Sequence, residues 1–145
     1  MLNLKPSFAT EPAPQEFLPK RWKIILLSDP GPRRDALLAI LRSMPGPQDV
    51  LNFSTLDESE TQVKTPESAL IIIDQAVDGG PLRQAIPIIR QWNSRASILL
   101  LAAHPREMFQ NRPDRPDSVL CNGFSFTLLI REVERLKLEG GPLCD

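Results

Sequence analysis

Two aspartates each follow a strongly apolar run in this chain of 145 residues. Asp29 comes shortly after WKIILL, residues 22–27, and Asp74 directly ends ALIII, residues 69–73. A buried strand accounts for each run, because strands covered on both faces read as continuous Val, Ile and Leu. The acids need a separate explanation. An acid that ends a buried strand is a candidate functional group, because functional groups of such sheets collect where the strands end.

The remaining elements decide whether the fold brings these acids together. The predicted strands are residues 22–27, 49–53, 69–73, 97–103 and 117–122. Between the first three strands we predict a helix over 33–44 and at best a weak helix in LDESETQVK. The third helix has the apolar stripe Leu82, Ile86, Ile89 and Trp92, and Pro87 must either start it or bend it. Segment 104–117 has room for only a short helix, and Ser125 caps a last helix in which Leu129, Val133 and Leu136 are buried.

This alternation predicts one α/β domain with a parallel five-stranded sheet covered on both faces. Right-handed crossovers then place the carboxyl ends of all strands at one edge, where functional groups collect in such sheets. Asp29 and Asp74 are therefore expected to face each other across that edge.

Composition narrows the class of protein. The net charge of −1 gives no general attraction to nucleic acid or to an anionic membrane. Cys121 and Cys144 fit no zinc spacing, and neither a signal peptide nor an 18-residue apolar span is visible, so we expect a cytoplasmic protein.

The proline-rich residues 1–20 are predicted to be a flexible arm, either passive or docking through Phe8, Phe17 and Leu18, and residues 139–145 a flexible tail.

The order of these segments, over about residues 21–138, resembles the receiver domain of two-component response regulators, which is a (βα)5 flavodoxin-like fold. KIILLSDPGPRRDALLAIL resembles its first strand and helix, and ALIIIDQ resembles the strand that carries the phosphoacceptor. The resemblance implies a sheet order of 2-1-3-4-5, Asp74 as the phosphoacceptor position, and Asp29 with Asp74 as metal ligands, aided by the carbonyl of Ala76.

The remaining positions depart from the family pattern. Ser28 stands where a second acid is usual, Ala102 where a Thr or Ser contacts the phosphoryl group, and Val119 where an aromatic residue rotates on activation. SILLLAAHP and VLCNGFSFTLLIREV carry these matches, and Asn122 and Gly123 replace the usual Lys-Pro pair. Ala102 is thus not a ligand, and we expect at most weak binding of Mg²⁺.

These departures favour a degenerate, stand-alone receiver-like module, not an enzyme, that acts through protein–protein interaction with weak or no phosphorylation. The alternative is a Mg²⁺-dependent phosphoacceptor that takes phosphate from a histidine kinase on Asp74. No output domain is expected after residue 138, so the partner would be a histidine kinase, a downstream effector or a second copy in a homodimer. The face formed by segment 104–117, the fifth strand and the last helix is the usual partner surface in the family.

Other residues give weaker signals. His104 is predicted to be an exposed loop residue without a catalytic partner, and Cys121 a small apolar core residue. Asp78-Gly79-Gly80 predicts a turn and matches no phosphate-binding loop, and the loop after the first strand lacks the composition of a flavin phosphate loop. A cluster at Arg106, Arg112 and Arg115 indicates a solvated loop more than a nucleic-acid site.

Overall fold

The structure is a computed structural model that describes residues 21–65, 67–74, 84–102, 115–121 and 123–140. The predicted arm at 1–20, the predicted turn at 78–80, His104, Asn122 and Cys144 lie outside the described residues, as does most of the segment predicted to hold a short helix. The predicted boundaries of the arm and the tail therefore stay predictions.

Five parallel strands form a single sheet. They are β1 (Trp22–Leu27), β2 (Gln48–Phe53), β3 (Ser68–Asp74), β4 (Ser97–Ala102) and β5 (Ser118–Cys121). Their order is β2-β1-β3-β4-β5, and every neighbouring pair is parallel. The predicted sheet order is confirmed, and all five carboxyl ends lie at one edge.

Four helices are described between and after the strands. They are α1 (Pro32–Ser43), α2 (Leu56–Val63), α3 (Ala85–Trp92) and α4 (Phe126–Gly140). Pro87 lies in the first turn of α3, where a missing backbone N–H costs nothing. Ser125 caps α4 as predicted, because its Oγ accepts a hydrogen bond from the backbone N–H of Leu128 at 3.1 Å.

The prediction for α2 was too weak. Thr55 and Glu58 form a variant of the capping box: the Glu58 backbone N–H donates to Thr55 Oγ1 at 3.2 Å, and the backbone N–H of Ser54, one residue before the N-cap Thr55, donates to Glu58 Oε1 at 3.2 Å. Ser59 and Val63 of the helix are fully buried. Capping and one buried face therefore hold eight residues in a regular helix although its sequence is mostly polar.

The alternating side chains of the strands build two separate hydrophobic clusters. Ile24, Leu26, Leu70 and Ile72 point to one face, where residues of α1 and α4 cover them. Ile25, Leu27, Ile71 and Ile73 point to the other face, which α2 and α3 cover. The face to which a strand residue points therefore decides which helices it meets. No helix in the described part of the chain is long and apolar enough to cross a membrane.

Candidate functional site

Asp74 lies at the carboxyl end of β3 and points to the face covered by α1. Its position is two and four residues after Ile72 and Leu70, so its side chain points to the same face of the sheet as theirs, and both belong to the cluster on that face. Its side chain is only 3% exposed. Leu27 pairs with Ile73 in the β1–β3 register, so Ser28, the next residue, comes opposite Asp74. The Ser28 hydroxyl, itself buried, donates to Asp74 Oδ2 at 2.9 Å.

Arg33, in the first turn of α1, forms an ion pair with Asp74. Its Nε donates to Asp74 Oδ1 at 2.9 Å and to Oδ2 at 3.0 Å. Together with Ser28, these bonds satisfy three of the roughly four lone-pair positions that an ionised carboxylate offers. The contact answers why an acid ends a buried strand: the carboxylate stays buried because a cation and a hydroxyl compensate it.

The turn into α1 brings Arg33 to this position. Gly31 precedes the helix with φ 150, a backbone conformation that residues with a side chain rarely adopt. Pro32 then occupies the start of the helix, where its fixed φ is favourable. The chain thereby reverses within a few residues of β1 and places the first turn of α1 above the end of β3.

Arg34 anchors the same turn to β1 and to the loop after β2. Its Nη1 donates to the backbone carbonyl of Ser28 and to Ser54 Oγ, both at 3.2 Å. Neither Arg33 nor Arg34 is among the site residues predicted from the sequence. The signal that could have found them is a pair of cationic residues in the helix that follows β1, on the face toward which the acid of β3 points.

The structure does not gather the other predicted site residues around Asp74. Asp29 is exposed, and in the described part of the chain its carboxylate makes no ion pair or hydrogen bond. Ala102 is fully buried in the cluster on the opposite face. Val119 is partly exposed, and Gly123 makes the turn after β5 with φ 95. Cys121, predicted to be a small apolar core residue, is half-buried at the end of β5.

As arranged, the described residues do not fit a magnesium ion. Mg²⁺ needs direct contact with carboxylate oxygens at about 2.0–2.1 Å in near-octahedral geometry, whereas both oxygens of Asp74 already accept from Arg33. Among the described residues no three His, Cys, Asp or Glu side chains lie together. The weak binding of Mg²⁺ predicted from the sequence stays a prediction, and an ion bound at Asp74 would lie close to the positive charge of Arg33.

A separate polar groove lies at the opposite edge, near the amino ends of β1 and β2. Lys23, Gln48, Asp49 and Glu67 are among its lining residues. Close to it, Lys137 of α4 donates to Gln48 Oε1 at 2.6 Å. Partial burial lowers the pKa of Lys137, and the neighbouring charge of Glu134 acts against that shift. The groove does not include Ser28, Arg33 or Asp74.

The chain matches no known protein-family model and no curated protein, but its structure is similar to solved structures of receiver domains. A CheY-like response regulator receiver domain protein from Methanospirillum hungatei superposes with a TM-score of 0.66 at 14% identity, covering 82% of this chain and 96% of the other. A putative response regulator from Chloroflexus aurantiacus gives 0.63 at 18% identity, covering 81% and 98%.

A third similar structure is the receiver domain of a sensor histidine kinase from Pseudomonas aeruginosa, with a TM-score of 0.63 at 19% identity, covering 78% of this chain and 94% of the other. That domain has a magnesium ion coordinated in its active-site cleft. At such identities the likeness establishes the fold: the chain has the flavodoxin-like α/β fold of CheY-like receiver domains.

Proposed function

We propose that this chain is a degenerate receiver-like signalling module that acts by binding a protein partner in the cytoplasm, with little or no phosphorylation of Asp74. The observation that carries the proposal is the state of Asp74, whose buried carboxylate already accepts from Arg33 and Ser28. A carboxylate that attacks a phosphoryl group needs a free oxygen in line with the leaving group. Here the attack would first have to break an ion pair whose carboxylate is buried.

The groups that would make phosphorylation productive are also missing. Ala102 has no hydroxyl to contact a phosphoryl group, and position 122 is an asparagine without the full positive charge of a lysine. A ligand shifts a conformational equilibrium only through different contacts with the two states. Without these contacts, phosphate on Asp74 would transmit little change to the rest of the fold.

A partner has accessible apolar side chains to bind on β5 and at the start of α4. Val119 and Leu128 are partly exposed, and the Phe126 side chain is largely exposed at 58%. Exposed aromatic residues are typical anchors of protein interfaces. A histidine kinase, a downstream effector or a second copy of this chain would each dock through such side chains.

The competing hypothesis is a Mg²⁺-dependent phosphoacceptor that takes phosphate from a histidine kinase on Asp74. Incubation of the purified chain with acetyl phosphate and Mg²⁺, followed by intact-mass measurement, separates the two. We expect no phosphorylated species for the wild-type chain. A phosphorylated species that is absent from Asp74→Asn would contradict the proposal.

Association is tested with a partner identified by crosslinking in the cells of origin. We expect Asp74→Asn to bind it like the wild type and Phe126→Asp to weaken binding at least about tenfold, which corresponds to about 1.4 kcal/mol. The matched control is Leu138→Asp, which places the same charge at another exposed apolar position of α4, 78% exposed. Loss of binding in Asp74→Asn but not in Phe126→Asp would contradict the proposed mode of action.

A further inference from the structure

We propose that the guanidinium of Arg33 is a built-in replacement for the divalent cation at this sheet edge, so that the chain compensates Asp74 without binding metal. This inference deepens the proposed function, on which its biological meaning rests. It concerns the isolated chain, however, and is tested without any partner or phosphoryl donor.

The geometry of the ion pair supports this role. Arg33 Nε lies within 3.0 Å of both oxygens of Asp74, so the positive charge sits in front of the carboxylate and not beside one oxygen. A metal ion bound to either oxygen would therefore lie next to this positive charge. Two cations on one carboxylate would repel each other, and Asp29 makes no contact with Asp74 that would share the additional charge.

The position of Arg33 is fixed from two sides. Arg34, its neighbour, bonds the end of β1 through the carbonyl of Ser28 and the loop after β2 through Ser54. Ser28 in turn donates to Asp74. The first turn of α1 is therefore anchored at the sheet edge, and Arg33 reaches the carboxylate from a backbone that is already in place.

Arg33 and Asp74 differ in solvent exposure, so a mutation that removes the guanidinium would open the carboxylate to a metal ion. The Arg33 side chain is 39% exposed, whereas the Asp74 side chain is 3% exposed. Removal of the guanidinium would leave a buried carboxylate facing a solvent-accessible gap, with Asp29 on the neighbouring loop. A hydrated divalent cation could then enter that gap and bind the oxygens that Arg33 had occupied.

The test is a titration with MgCl₂ alone, followed by backbone amide NMR, on the wild type, Arg33→Gln and the double variant Arg33→Gln with Asp74→Asn. We expect no saturable shifts near Asp74 in the wild type. In Arg33→Gln we expect saturable shifts around Asp74, with a Kd for Mg²⁺ at least about tenfold below the highest MgCl₂ concentration at which the wild type shows no saturable shift. The double variant should lose this binding. The matched control is Arg95→Gln, an exposed arginine in the turn before β4, which should behave like the wild type.

A second measurement keeps the inference testable if Arg33→Gln does not fold. The Nε–H resonance of Arg33 in the wild type should be protected from exchange, should disappear in Asp74→Asn, and should not change when MgCl₂ is added. Saturable Mg²⁺ binding at Asp74 of the wild type, with loss of that resonance, would overturn the inference. Arg33→Gln that folds but binds Mg²⁺ no more tightly than the wild type would also overturn it.

Discussion

Asp74 is the residue on which the interpretation depends, and its environment could be predicted only in part. The apolar run before it predicts a buried strand, and the strand order predicts that it ends at the functional edge. Its partner Arg33 is 41 residues away in the sequence. Nothing in the local pattern of RRDALLAIL shows that the first arginine, and not Asp29, meets the carboxylate, because that depends on how the turn at Gly31 directs α1 across the sheet.

The two partners of this ion pair should contribute unequally to stability. Arg33→Gln leaves a buried carboxylate with only Ser28 as a donor, and we expect it to lower the free energy of unfolding by about 1–2 kcal/mol, less than for a fully buried pair because Arg33 is partly exposed. Asp74→Asn should cost less, since Arg33 can turn to water. Urea denaturation of both variants measures the difference. An equal or larger loss for Asp74→Asn would show that Arg33 is not what makes the buried carboxylate tolerable.

Glu132 of α4 contributes to the free energy of unfolding in a pH-dependent way. A hydrogen bond from Arg135 holds its pKa below the ordinary value, against the opposing effect of burial, and the charge of Arg135 and a hydrogen bond from Ser118 act in the same direction. Since the folded pKa is the lower one, the unfolded chain takes up the proton first as pH falls. The stabilisation is therefore complete above the unfolded pKa and is lost as pH falls through the folded pKa.

The corresponding variant is Glu132→Gln. At neutral pH we expect it to be less stable than the wild type by under about 1 kcal/mol, and we expect this difference to shrink in acid. Denaturation curves at several pH values measure it, with Glu134→Gln, an exposed glutamate of the same helix, as the control. A difference that grows as pH falls would contradict the assigned sign.

Among the elements, α2 shows how far sequence patterns reach. Its polar composition made it look weak, but the Thr55–Glu58 capping box was present in the sequence and predicts a helix start. Strands β1 to β5 were predicted within one residue of their bounds at each end. Composition alone predicts a weak helix, whereas the cap at Thr55 and the buried face with Ser59 and Val63 both favour the helix that forms.

The cap of α2 can be tested directly. Thr55→Ala removes the hydroxyl that accepts from the Glu58 N–H, and we expect a loss of about 0.5–2 kcal/mol in the free energy of unfolding. Thr61→Ala is the matched control, because Thr61 is exposed within the same helix and alanine is the better helix former there. A larger loss from Thr61→Ala than from Thr55→Ala would exclude the capping box as the source of helix stability.

The molecule as a whole has the α/β fold of CheY-like receiver domains, with an arginine–aspartate ion pair at the carboxyl edge of its sheet. Sheet order and the two-sided core followed from the apolar strands and the family resemblance, and the structure confirms them. The identity of the cation at Asp74 did not follow, because the family pattern directs attention to acids and a metal. In the folded chain the guanidinium of Arg33 in α1 pairs with Asp74, and exposed apolar side chains lie on β5 and α4.

The most direct test of the central claim is a backbone amide NMR spectrum of the wild-type chain with Mg²⁺ and beryllium fluoride, a mimic of the phosphoryl group on aspartate. We predict that the spectrum stays that of the chain alone, because Arg33 and Ser28 hold both oxygens of Asp74. Saturable shifts that cluster around Asp29, Asp74 and Ala102 would contradict this account and would assign Asp74 to phosphoacceptor chemistry.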